Sequence, residues 1–413
     1  MAVNAFKTVD WLSMESLRIL KNKLEVAQFF NTDYNKEFDK EYAVGDTVRV
    51  KYPQRFLPRD GLNYTPQAIN RLSTTVTIDN IVGVDFEWDS FEQAVKLERG
   101  EAVLRKEYID PAMTTIAQEI DSRAANWARK HSNNVVGTLG TNPVALQTIS
   151  GSARQVLLEM ACPAAGEKGM IVAPKVMTSL VGSTAAYFNP ASDISKQYKE
   201  GSIGRQGGFD WYESMSLYSH TASTWAAGVT VTTSITADGT TSITLTCTNG
   251  DTFKEGDSIS FSAVNATNPV TRRSTGTLKN FVIRSADQTI SGTSATITVS
   301  PPMYGPGSQY QNVDALPLAG ATVTLWPGTA SPNGKSGVVG LAIHESAFAL
   351  VGVKLETPKA VELASQTRDP DSGLSVRFVR MFDPQASKMV NRFDVAFGFG
   401  DLYVDNCVKV VGA

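Results

Sequence analysis

Between Tyr108 and Asn134, Met113, Ile116, Ala117, Ile120, Ala124, Trp127 and Ala128 recur at spacings of three and four, which predicts one long amphipathic helix. Asp110 is suited to cap its start and Pro111 to its first turn. Gln118, Glu119, Asp121, Arg123, Asn126, Arg129 and Lys130 form the opposite, polar face. At about 1.5 Å per residue the helix spans roughly 35 Å, the width of a domain. Its apolar stripe needs a core, so Trp127 is expected inside the subunit. A second stripe, Met14, Leu17, Leu20, Leu24 and Ala27, predicts a helix from Val9 to Phe30. Lying so close to the start of the sequence, that stripe needs cover, from this protein's own core or from a neighbouring subunit.

Period-2 patterns come next. Val48, Val50 and Tyr52 alternate with Thr47, Arg49 and Lys51, and PQRFLPRDG is a turn-rich excursion. In the clearest strand signal, Val76, Ile78, Val82, Val84, Phe86 and Trp88 hold even positions, while Thr75, Thr77, Asp79, Asp85, Glu87 and Asp89 hold odd ones. One face is apolar and the other acidic. A hairpin of this length between two helices is hard to bury within one subunit and reads as an arm lying on something else. NPVALQTISGSARQVLLEMACP reads as a helix ending at Pro163, and GMIVAPKVMTSLVG as a strand followed by a helix from Pro174. Trp211, Glu213, Met215 and Leu217 alternate after a glycine-rich turn.

From Ala227 to Gly334 the charged residues thin out, Thr and Ser rise, and short β runs recur (TSITLTC, DSISFSA, TLKNFVIRS, ATITVS, ATVTLW) between turn signals. That is the pattern of an inserted all-β domain. Beyond it, LAIHESAFALVGVKL and the final forty residues return to mixed character and read as alternating strand and helix.

A chain of 413 residues with 42% hydrophobic and 19% charged content can bury a large core. The net charge of −3 and the lack of a long basic run disfavour gripping nucleic acid through phosphate neutralisation. Cys162, Cys247 and Cys407 are far apart and not in a metal spacing, so neither a disulfide framework nor a zinc site is expected. The first residues lack the order of a secretion signal, and no apolar run approaches membrane-spanning length, so folding in a cytoplasm is expected.

Candidate chemistry dissolves on inspection. Gly334, Lys335 and Ser336 end like a phosphate-binding loop, but Thr329 stands where that motif needs glycine, and GVVGLAI after it is strand-like. His131, His220 and His344 sit in no nucleophile or metalloprotease spacing and read as structural. Asp85, Glu87 and Asp89 share a strand face and read as a solvated or intersubunit surface rather than a metal cluster. No catalytic, cofactor or metal residue is expected.

Terminal helix, long β hairpin, long helix, mixed domain and the ending NRFDVAFGFGDLYVDNCVKVVG together resemble the major capsid proteins of tailed bacteriophages with the HK97-type fold. KEGDSISFSAVN, the run ending TITVSP, GSIGRQGGFDWYESMSLYSHTAS and GLAIHESAFALV are similar to parts of the short-tailed Salmonella phage coat proteins, which carry an immunoglobulin-like insertion. The resemblance implies an α+β subunit with an N-terminal arm (1–45), an extended β-hairpin loop (46–106), a spine helix of a peripheral domain (107–145), a first axial part (146–226), the inserted all-β domain (227–334), and a return through the axial domain to peripheral strands (335–413). It implies self-assembly into hexamers and pentamers of an icosahedral head enclosing double-stranded DNA, in a virion built in a host bacterial cytoplasm. Scaffolding, portal and decoration proteins are possible partners, contact with DNA is non-specific, and no membrane or cofactor is involved. No lysine and asparagine pair can be assigned to the autocatalytic cross-link of some members, so the shell is expected to hold noncovalently. Leu17, Leu20, Leu24, Asp85, Glu87 and Asp89 are the candidate intersubunit residues. A β-rich tail or cell-surface binding protein is the rival class; it predicts a secretion signal or repeats. An enzyme predicts a polar constellation in a glycine-rich loop.

Overall fold

The computed structural model describes residues 5–34, 47–58, 61–63, 66–69, 72–89, 108–143, 145–184, 203–226, 228–327, 332–358, 361, 363–369, 372–384 and 388–412. The second half of the expected hairpin segment, 90–107, and part of the glycine-rich stretch after Tyr198 lie outside them. The chain divides into two compact units: residues 1–50, 73–124 and 348–401, and residues 51–72, 125–347 and 402–413.

In the first unit, helix α1 (Ala5–Lys23) is followed by a short 3-10 turn (Ala27–Phe29). The expected single helix to Phe30 stops at Lys23, because the backbone turns there to bury Leu24, Val26, Ala27, Phe29 and Phe30. Phe30 packs on Phe348 and Phe399, with ring centroids 5.4 and 5.7 Å away. Leu17 and Leu20 are buried, whereas Met14, placed on the same stripe by spacing, is 59% exposed. The sheet runs β1 (Thr47–Lys51), β2 (Ser73–Asp89), β20 (Lys388–Asp401), β19 (Ser375–Asp383), β18 (Leu363–Arg368), and β17 (Phe348–Val353) also pairs with β20. The alternating run is therefore one continuous 17-residue strand, laddered along β20 from Thr77 opposite Phe399 to Asp89 opposite Lys388. β1 is its hairpin partner, and the turn-rich excursion lies between them. Phe393 to Gly400 are all buried, so this end of β20 is covered on both faces. Gly398 is required there: a Cβ would stand 2.1 Å from the Thr77 carbonyl oxygen.

Helix α2 (Asp110–His131) realises the long stripe, and Met113, Ile116, Ala117, Ile120, Ala124 and Ala128 are fully buried. Two positions depart from expectation. Trp127 is only half-buried and stacks on His131 at 3.8 Å. Asp121, assigned to the polar face, is 2% exposed.

In the second unit a seven-stranded mixed sheet runs β3 (Asn134–Gly137), β21 (Cys407–Val411), β16 (Ser336–His344), β4 (Lys168–Val172), β6 (Phe209–Glu213), β5 (Arg205–Gln206), with β7 (Ser219–Thr221) also on β16. Helices α3 (Leu146–Glu159) and α4 (Pro174–Thr184) pack on it through Ile149, Ala153, Leu157, Val176 and Leu180. β6 ends at Glu213, so the alternation through Met215 is not a strand, and Met215 is 83% exposed. The described residues after β19 form strands and one short 3-10 turn rather than alternating strand and helix, and residues 385–387 lie outside the described residues.

Six antiparallel strands follow the Thr-rich pattern in the order β15 (Val323–Leu325), β11 (Ser258–Thr267), β12 (Ser274–Ile283), β14 (Ser294–Met303), β9 (Thr240–Thr246), β8 (Thr230–Val231), beside a small β10 (Thr252–Phe253) and β13 (Gln288–Thr289) pair. The two ends of this sheet meet: Val231 N–H donates to the Ala321 carbonyl and Val323 N–H to the Val229 carbonyl, each at 2.9 Å. The module is thus a closed barrel rather than the two-sheet immunoglobulin-like sandwich expected. Short alternating strands with regular turns satisfy both, and only the pairing of first strand with last separates them. Phe261, Phe281, Ile283, Ile297 and Trp326 lie in its core, which is continuous with Val135, Leu139, Val339 and Val411 of the neighbouring sheet.

Candidate functional site

The six residues singled out from sequence divide sharply. Leu17, Leu20 and Leu24 are 7%, 0% and 8% exposed within the subunit itself, so the chain's own core covers these three leucines. Helix α1 lies on β18, where the Ser13 hydroxyl bonds Ser365 Oγ at 3.0 Å and Thr367 Oγ1 at 2.5 Å. Asp121 then fixes the chain leaving this helix. Its Oδ2 accepts Glu25 N–H at 2.8 Å and its Oδ1 accepts Val26 and Ala27 N–H at 3.0 and 2.8 Å. Burial raises its pKa to about 6, against the pull of those three donors.

The acidic strip remains outward. Asp85 and Glu87 are 62% and 57% exposed at the side chain, and each faces a cation on β20: Arg392 at 3.7 Å from Asp85, and Lys388 in contact with Glu87. Asp89 ends the strand opposite Lys388 in the ladder. Arg392 is committed first to the buried Asp394 at 2.6 Å, which holds the guanidinium above its ordinary range. Ile81 on the same face is 61% exposed. The strip therefore combines carboxylates, cations and an apolar side chain at the surface.

The second unit holds a polar junction that spacing did not reveal. The Asp257 carboxylate, fully buried, accepts His220 Nε2 at 2.8 Å and Trp326 Nε1 at 2.6 Å on Oδ1, and the Ser223 backbone N–H at 3.2 Å and the Ser223 hydroxyl on Oδ2. Burial pushes this carboxyl up, but the hydrogen bonds from His220, Ser223 and Trp326 outweigh it and hold the group below its usual range. Arg129, in the last turn of α2, donates to His220 Nδ1. Lys409 on β21 is fully buried and donates to the Gly256 carbonyl at 2.6 Å and Ser258 Oγ at 3.1 Å, with its ammonium 5.2 Å from the Trp326 ring centre. Burial pulls its pKa down to about 7. A second pin joins Lys279 of β12 to Asp405 at 2.6 Å. Gly256, at φ +93°, supplies the left-handed backbone that the turn from Lys254 to Asp257 needs, and this turn packs on the end of α2, where a Cβ would be in ordinary contact with Lys130 Cα at 3.4 Å.

Ser223, Asp257 and His220 have the residue types of a hydrolytic triad but not its order. The carboxylate lies between the other two, so the imidazole has no serine proton to take, and Ser223 Oγ accepts from Lys254 N–H at 2.9 Å instead. Among the described residues no group of three His, Cys, Asp or Glu is placed to hold a metal ion, and no helix is long and apolar enough to cross a membrane. Gly334 to Ser336 run directly into β16, as the strand-like sequence after them requires.

A family model described as "P22 coat protein - gene protein 5" matches residues 1–402. The chain belongs to the P22 coat protein family. It is a major capsid protein of the tailed-phage HK97-type fold, forming an icosahedral shell, and its place is the virion. Solved structures similar to this coat protein include one titled Mycobacterium phage Che8, with 13% identity, 94% of this chain and 90% of that chain covered, and a TM-score of 0.47. Another is the capsid structure of cyanophage P-SCSP1u, at 11% identity, 93% and 86% coverage, and a TM-score of 0.44. The CUS-3 coat protein I-domain matches 24% of this chain over 94% of its own length, at 24% identity and a TM-score of 0.19. No curated protein matches the chain. For a shell subunit the outward acidic strip is the candidate contact surface, and the buried junction is internal scaffolding that no spacing rule signals, because its members come from five separate stretches of sequence.

Proposed function

We propose that copies of this coat protein associate as hexamers and pentamers of the shell, in the cytoplasm of a host bacterium, around double-stranded DNA that they contact only non-specifically. The observation that carries the reading is the family match over residues 1–402. In support, the sequence has a net charge of −3 and no long basic run, which suits a container that must not hold its cargo tightly. Closed assembly demands complementary patches repeated by symmetry, and the strip of Asp85, Glu87 and Asp89 beside Arg392 and Lys388 offers one. Residues 227–334 form an inserted all-β domain in this reading. The strands that flank it, β7 and β16, are hydrogen-bonded to one another from Ser336 opposite Thr221 to Val338 opposite Ser219, so the chain leaves and re-enters the sheet at one place. Scaffolding, portal and decoration proteins would act on this shell as separate partners. Negative-stain electron microscopy of the expressed protein, alone and co-expressed with a scaffolding protein, tests it: closed shells or tubes are the expected result, and dispersed monomers under both conditions would refute it.

A further inference from the structure

The contact between Arg129 and His220 fixes a protonation state by donor and acceptor count alone. A guanidinium only donates, so His220 Nδ1, facing Arg129 Nη1, has to be the acceptor. The ring proton then sits on Nε2, where it is donated to Asp257 Oδ1 at 2.8 Å. His220 is a neutral imidazole, used at both nitrogens and 3% exposed. It belongs to β7, whereas Arg129 belongs to the last turn of α2 and Asp257 to the turn leading into β11, so three separate elements meet on one ring.

A second proton would place an N–H of an imidazolium directly against the guanidinium, turning a hydrogen bond into a clash of two donors and two positive charges. The surroundings reinforce this. Lys409 lies across the Trp326 ring, and that ring's centre is 5.1 Å from the imidazole. Arg284 Nη1 donates to the Lys130 carbonyl at 3.2 Å. Against these cations stand Asp257, already saturated by donors, and Glu255, paired to Lys130 at 2.5 Å and 3.9 Å from Arg284, with Asp287 and Tyr218 further out around Arg129. Burial, followed by the charges of Lys409 and Arg129, holds the imidazole below its ordinary pKa of 6.5 despite the pull of Asp257.

We propose that His220 is an acid-opened latch: as a neutral imidazole it ties the end of α2 to the seat of the β barrel, and its protonation releases Arg129 and loosens that seat. The sign follows from linkage. Below about pH 6.5 the unfolded chain takes up a proton that the folded chain refuses, so stability is complete above that pH and falls as the pH drops, by up to about tenfold in the folding equilibrium per pH unit until the folded imidazole itself titrates.

His220→Gln tests the latch, because glutamine can accept from Arg129 through Oε1 and donate to Asp257 through Nε2 but cannot take the proton. Unassembled full-length parent and variant are compared by chemical denaturation and by backbone amide exchange between pH 7.5 and 5.5. The parent is expected to lose stability on acidification, with faster exchange around Ala128–His131 and Gly256–Ser258, while the variant matches it at pH 7.5 and loses markedly less at pH 5.5. His131 and His344, the other two histidines, and Asp121 and Lys409, whose pKa values of about 6 and about 7 also fall in or near this range, are present in both proteins, so the difference between the two slopes isolates His220. Equal slopes for parent and variant would overturn the proposal. Should the variant fail to fold, the parent's imidazole resonances decide it: an Nε2–H tautomer titrating below 6.5 supports the latch, and a midpoint at or above 6.5 refutes it.

Discussion

On the outer face of β2 and at the seat of the barrel, carboxylates stand in two different media, opposite cations in the first and ringed by neutral donors in the second. Glu87 faces Lys388 with both side chains largely in water, where solvent screening leaves such a pair worth roughly 0–1 kcal/mol. Asp257 is shut off from solvent, and each of its two oxygens takes two donors. Removing one member of such a buried set strands the others, at a cost of about 3–5 kcal/mol. The strip is therefore cheap to change in the subunit and free to be used between subunits, while the seat is committed to holding the subunit together.

The sharpest break of this contrast is Asp257→Ala. It leaves His220, Trp326 and Ser223 donating to nothing in a dry site, and is expected to lower subunit stability by about 3–5 kcal/mol, seen as a lower urea midpoint and poor soluble yield. A loss under about 1 kcal/mol would mean that water reaches the seat.

Trp127→Ala falls between the two regions. A fully buried tryptophan would cost about 3–5 kcal/mol, but Trp127 is half-buried with one face on His131, so about 1–2 kcal/mol is expected in the melting of the unassembled subunit. A subunit as stable as the parent that nevertheless fails to assemble would move Trp127 to an interface.

The smallest effect on the subunit belongs to the strip. Glu87→Ala should shift stability by less than about 1 kcal/mol. Replacing Asp85, Glu87 and Asp89 together by lysine sets like charges against Lys388 and Arg392 and removes the proposed contact, so the variant should stay soluble yet form no shells. Normal shells from it would place the face in solvent.

Periodicity along the chain makes much of the architecture legible. The α2 stripe from Met113 to Ala128 reports a burial face that repeats with the helix period, and β2 reports one that repeats every second residue. Met14, Asp121 and Trp127 show where such reading stops. Each obeys a helical spacing, yet burial at the ends and margins of a stripe depends on which other segment arrives there. Glu25, Val26 and Ala27 arrive at Asp121, nearly a hundred positions away in the chain, and their orphan N–H groups draw the carboxylate inward.

The long helix, the 73–89 strand and the Thr-rich β stretch are legible in the sequence, because all of these are properties of neighbouring residues. That the β stretch closes on itself, and that Leu17, Leu20 and Leu24 are covered by the subunit's own core, follows from contacts between distant segments. The same holds for Lys409, which sits in a strand of valines and reaches the Gly256 carbonyl 153 positions away. A lysine there looks like an exposed position in an otherwise apolar strand. What makes it interior is a carbonyl, a hydroxyl and an indole face brought from two other segments, and desolvating a charge is tolerable only where such partners converge.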